Sequence, residues 1–164
     1  MGKTSWDMSY TRQQYIGNIP VSKIRTFTVG EPHREYEYTV SLIASTNVEV
    51  RSKALEAARV TANRVLTRLL GEQAFPAEGH ALSHEIVREH KFMGFAGADR
   101  LSRGMKLAFG RPTGRAARIT TGQAILTIPV QEEDLDAAKD ALERASKKLP
   151  VKPNLEIHSI GDSA

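Results

Sequence analysis

The chain has 164 residues, a formal net charge of +4 and no cysteine, which is enough length for one domain that buries roughly 70% of its unfolded surface without covalent staples. The missing thiols exclude disulfides, thiolate metal sites and cysteine nucleophiles, and they suit a reducing compartment. No apolar run approaches the roughly 18 residues of a membrane span, and the opening MGKTSWDMSYTRQQY lacks the apolar centre of a signal peptide, so a cytoplasmic protein is expected.

Residues 1 to 21 are polar and broken by Gly17 and Pro20, with Trp6, Tyr10 and Tyr15 spaced through them. They read as an arm ahead of a single domain at 22–160, with a short polar tail at 161–164. Aromatics in such an arm either dock on their own domain or, beside Arg12, Lys23 and Arg25, clamp RNA. Ile24, Phe27 and Val29 form a first apolar run, and Tyr36, Tyr38, Val40 and Leu42 alternate with polar residues in a second. Both read as strands, joined in a hairpin through the turn that contains Gly30 and Pro32. Asn47 to Val50 extends the second strand or forms a short one.

Arg51 to Leu70 is the clearest helix, with Leu55, Ala58, Ala62, Val65, Leu66 and Leu69 recurring at three or four residues. Ser52 is its expected N-cap and Gly71 its stop. At roughly 100° per residue, Lys53, Arg64 and Arg68 share the face opposite the apolar stripe. That face is either an ordinary solvated surface or a second phosphate-contacting one. Glu72 to Gly79 reads as a loop and Leu82 to Phe92 as a strand. His80 and His84 are four apart, but Gly79 and the strand pattern argue against a helical metal pair, and no second histidine completes an HExxH after His84-Glu85.

The segment KFMGFAGADRLSRGMKLAFGRPTGRAAR, residues 91–118, carries seven basic residues against Asp99 alone and so holds +6. Everything outside it sums to −2, and a polyanion is the matching partner. Five glycines deny the segment a stable helix, and it lacks strand alternation. It reads as a long basic loop. Loops of this length inside a domain are usually functional or disordered when free. Small residues let backbone amides approach phosphates, arginine offers bidentate donors, and Phe92, Phe95 and Phe109 could stack on unpaired bases. The competing reading is a solvated flexible loop.

Ala117 to Thr120 and Ala124 to Val130 follow as strands around Thr121-Gly122, a second expected hairpin. Glu132 to Leu149 reads as a helix with acids at its start and Lys147 and Lys148 at its end, and Leu155 to His158 is the last strand. The order β-β-α-β, loop, β-β-α-β describes an α+β fold, a mostly antiparallel sheet covered by two helices with a long basic internal loop. No catalytic constellation emerges. GFAGADR and GRPTGRA lack the Lys-Ser/Thr of a P-loop and the GxGxxG of a dinucleotide site, and neither Ser83-His84 nor Ser102 near Asp99 forms a nucleophile arrangement. No metal, cofactor or catalytic residue is expected.

Three separated blocks, YTRQQYIGNIP, VRSKALEAARVTANRVL and GFAGADRLSRGMKLAFGRPTGRAARITTGQAILTIPV, resemble the archaeal and eukaryotic large-subunit ribosomal protein family L-ten-e, within the universal L-sixteen family. The likeness spans nearly the whole chain and is greater to the archaeal form. It implies a non-enzymatic α+β constituent of the large ribosomal subunit. Its partners would be large-subunit rRNA, neighbouring large-subunit proteins and nearby tRNA, with no membrane, no DNA and no homo-oligomer. The family's loop, carried over to Phe92 through Arg115, would point toward the tRNA sites and peptidyl transferase centre, with Gly97, Ala98, Asp99 and Arg100 closest to tRNA. Tyr10, Thr11 and Arg12 match the arm that lies against RNA. Together with the charge pattern, the expected RNA-binding set is Tyr10, Thr11, Arg12, Lys23, Arg25, Lys53, Arg64, Arg68, Lys91, Arg100, Arg103, Lys106, Arg111, Arg115 and Arg118. Gln13 and Ser52-Lys53 depart from the family pattern, which sets the contacts at 13, 52 and 53 apart from the rest.

Overall fold

The computed structural model describes residues 16–22, 24, 28–29, 35–71, 77–89 and 110–160. In chain order these form β1 (Thr28–Val29), β2 (Tyr38–Ile43), β3 (Val48–Arg51), α1 (Ser52–Leu70), β4 (Ala77–Gly79), β5 (Glu85–Glu89), β6 (Arg111–Ile119), β7 (Ala124–Val130), a 3-10 turn (Glu132–Asp134), α2 (Leu135–Ser146) and β8 (Asn154–Ser159). The fold is α+β with antiparallel pairing throughout the described strands.

The strands make two sheets where one was expected: five strands in the order β1-β4-β7-β2-β8, and three in the order β3-β6-β5. The cause is one long antiparallel ribbon bent at its middle. Tyr38 pairs with Val130 and Leu42 with Leu126 in the first sheet; Val48 pairs with Ile119 and Arg51 with Ala116 in the second. Between them the two chains stay bonded through the bend. Ala44 N–H donates to the Gln123 carbonyl at 3.0 Å and Gly122 N–H to the Ala44 carbonyl at 2.9 Å, while Asn47 Oδ1 accepts from Thr121 N and Oγ1 at 2.8 and 3.0 Å. Thr121-Gly122 therefore does not close a hairpin. It carries the chain from β6 in one sheet to β7 in the other, with Gly122 at φ +84° supplying a conformation other residues adopt at a cost.

Other sequence expectations are corrected in the same way. β1 pairs with β4 and not with β2, so the first expected hairpin is absent among the described residues. Part of the expected 72–79 loop is strand β4. The last helix, expected over 132–149, starts only at Leu135 and ends at Ser146, and Glu132–Asp134 ahead of it form a 3-10 turn. Residues 111–115 of the expected loop belong to β6.

α2 lies on β2 and β7 of the larger sheet, and α1 packs on α2 and on β3, β4 and β6. Alternation sends Val40 and Leu42 inward, where Leu66, Ile119, Ile128 and Leu142 join them fully buried. Ala58 and Ala62 of α1 and Ala138, Ala141 and Ala145 of α2 are also buried, and such small side chains let helix axes approach closely. Ser41, held inside a central strand, satisfies its hydroxyl against Thr127 Oγ1 at 3.2 Å. No helix of the described residues is long and apolar enough to cross a membrane.

Candidate nucleic-acid interface

The three-stranded sheet holds both ends of the basic segment. β5 ends at Glu89 and β6 begins at Arg111, and these two residues are register partners. Residues 90–109, with Lys91, Gly97, Ala98, Asp99, Arg100, Arg103 and Lys106, lie outside the described residues, as do Tyr10, Thr11, Arg12, Lys23 and Arg25. The described members of the expected RNA-binding set are Lys53, Arg64, Arg68, Arg111, Arg115 and Arg118.

These six fall into three situations. Lys53, Arg64 and Arg68 are exposed on α1, and at about 1.5 Å per residue Arg64 and Arg68 stand roughly 16 and 22 Å from Lys53 along the axis. Arg111 is exposed at the start of β6. Arg115 is half-buried, and its Nε donates to the carbonyl oxygen of Pro20 at 2.8 Å. Close by, Ser22 Oγ meets Ser83 Oγ at 2.9 Å, so the end of the arm is fastened beside the root of the basic segment.

Arg118 is occupied differently. Its Nε lies 2.7 Å from Glu85 Oε1, and Glu49 is its direct partner across the β3–β6 pair. Glu49 and Glu85 are only 2% and 4% exposed. Burial, the facing Glu85 carboxyl and a hydrogen bond to it push the Glu49 carboxyl up from 4.5 to about 7, against the downward pull of Arg118 and Arg51. Two acids thus share one guanidinium, and Glu49 holds a proton near neutrality. The sequence shows Glu49 only as a polar residue between Val48 and Val50. Its burial is set by strand pairing, which no local pattern reveals.

A cavity of about 270 Å³ opens where β3 passes into α1, walled by Arg51, Ser52 and Lys53 on one side and by Thr113, Gly114 and Arg115 on the other. It brings Lys53 and Arg115 together and adds Arg51, which sequence reasoning missed. The signal was present in the order Arg-Ser-Lys at a helix start, where acids are favoured. Among the described residues no cluster of three or more acids and histidines is arranged to hold a metal.

The family model described as ribosomal protein L16p/L10e matches residues 7–156. Three relatives are called large ribosomal subunit protein uL16. That of Hyperthermus butylicus is 42% identical over 94% of this chain and 86% of its own length. That of Sulfolobus acidocaldarius is 43% identical over 95% and 90%, and that of Saccharolobus islandicus (strain L.S.2.15) is 46% identical over 91% and 85%.

Proposed function

Because the chain belongs to the ribosomal protein L16p/L10e family, we propose that it binds large-subunit rRNA through its cationic surface and extends the basic segment toward the tRNA sites and peptidyl transferase centre. At the coarser level it is a structural constituent of the archaeal-type large ribosomal subunit, acting in translation in the cytoplasm with rRNA and neighbouring ribosomal proteins as partners. The match across 7–156 carries this reading. The concentration of +6 in residues 91–118 supports the finer part.

The mechanism is electrostatic and positional. Arginine and lysine neutralise converging phosphates, glycines permit close backbone approach, and the folded domain anchors the root of the segment. Gly97 to Arg100 form the part nearest tRNA, and the arm residues Tyr10, Thr11 and Arg12 lie against rRNA. The protein joins the particle as one copy, without forming a homo-oligomer. Arg118 serves the fold, because its guanidinium is held by Glu85. Exposed Arg64, Arg68 and Arg111 are the stronger candidates for phosphate contact.

The test is sedimentation of a tagged copy from cell lysate at moderate and high salt, with residues 94–109 replaced by a short Gly/Ser linker in a second form. Stopping at 109 spares β6. Wild type should stay with the large subunit at high salt, whereas binding through about six phosphates alone would weaken with a log-log slope of roughly −4 to −5. The shortened form should incorporate but translate poorly. Wild type free of ribosomes would refute the assignment, and a shortened form that translates normally would refute the role given to the segment.

A further inference from the structure

The start of α1 breaks an electrostatic rule that α2 obeys. α2 is preceded by Glu132, Glu133 and Asp134 and has Asp136 in its first turn. α1 has no acid in its first turn, is flanked by Arg51 and Lys53, and receives no side-chain capping bond from Arg51. A helix N-terminus presents unpaired amides and about half a positive charge, so two cations there repel it and each other unless an anion lies between them.

The cavity described above sits at this point. Arg51, Lys53 and Arg115 line it from three elements, against a single acid, Glu89. Arg115 is pinned in the wall by its bond to Pro20. Ser52 is 3% exposed and lines the cavity beside these cations, with its hydroxyl not among the described side-chain atoms that are buried without a partner. The volume far exceeds the roughly 30 Å³ that one water occupies in the liquid, so a solvated phosphodiester group has room to enter.

We propose that the cavity between the start of α1 and β6 is a binding site for a backbone phosphate of RNA, held by Arg51, Lys53, Arg115, the Ser52 hydroxyl and the first amides of α1. The proposal rests on the rRNA-binding function above and adds a definite site to it. Lys53 thereby differs from Arg64 and Arg68, which stand farther along the same helix and meet phosphate only as exposed charges.

The experiment measures the salt dependence of binding between the full chain and deproteinised large-subunit rRNA. Arg51→Gln and Lys53→Gln should each reduce the magnitude of the log-log slope, and the double change should reduce it by about 0.7–0.9 in all, the value of one phosphate contact. The melting temperature of the free protein should hold or rise, because each change removes a cation from the positive end of α1. Lys139→Gln on α2 should leave the slope unaltered. If wild type binds with a steep slope while Arg51→Gln and Lys53→Gln match it, the site is refuted and rRNA binding stands. Equal losses from Lys139→Gln would mean a diffuse field and would also refute it. Absence of wild-type binding would overturn both the site and the function.

Discussion

Replacing Glu49 by Gln removes the titrating member of the buried pair while keeping its shape. Burial first, then Glu85, raises the Glu49 carboxyl from 4.5 to about 7 in the folded chain. The native state therefore binds this proton more tightly than the unfolded state does. The resulting stabilisation is complete below pH 4.5, declines as pH rises through the window up to about 7, and is gone above it. At about 1.36 kcal/mol for each tenfold difference in proton affinity, wild type should lose about 3 kcal/mol from this group across that window. The glutamine that replaces it has no such proton to lose, and its amide N–H can donate to a carboxyl oxygen of Glu85 without titrating. Urea unfolding of both full-length proteins between pH 5 and 8 should give a flatter profile for E49Q, with its stability gaining on wild type as pH rises. Arg118, Glu85 and Arg51 are the charged groups acting on Glu49, and they are common to both proteins. Profiles that stay parallel within about 0.5 kcal/mol from pH 5 to 8 would refute the reasoning.

Arg118→Met should cost about 3–5 kcal/mol, because two buried acids lose the guanidinium between them; a shift in urea midpoint worth less than about 1 kcal/mol would show that the ion pair behaves like a surface one. The double change Arg64→Gln, Arg68→Gln should leave stability within about 0.5 kcal/mol yet lower rRNA affinity at moderate salt, as filter binding would show; unaltered affinity would make that helix face merely solvated. Gly122→Val should cost about 1–2 kcal/mol at the left-handed corner between the sheets, measured by thermal unfolding, and a neutral result would mean the corner relaxes to negative φ.

Local patterns gave α1, β2, β7 and β8 nearly to their ends and α2 with three residues too many at each end, because their apolar periods match the faces they bury. The same patterns could not show partnership. Ala117 to Thr120 and Ala124 to Val130 flank a Thr-Gly step that reads as a hairpin, yet the 38–51 ribbon pairs with both and holds them in separate sheets. Arg111 to Arg115 contain a proline and a glycine, so their strand character comes from β5 alongside and not from their own preferences. Charge marked the basic segment without pairing information. It could not separate Arg118, committed to Glu85, from Arg111, exposed at the other end of the same strand. The cavity was legible only as an anomaly, two cations at the wrong end of a helix.

The corner between the sheets matters to function through what it leaves at the far end of β6. Because β6 stays bonded to β3 along one edge and β5 along the other, Glu89 and Arg111 are fixed as neighbours, with Cα atoms about 4.5–5.5 Å apart as in any antiparallel pair. The chain between them must go out and return, so its tip can stand at most about 35 Å from the sheet at roughly 3.3 Å per residue. Joining the ends beforehand removes the entropy of closing that loop from the cost of binding. Under the proposed function, a cationic segment tethered at both ends to a folded anchor should bind RNA better than the same residues on a free tail.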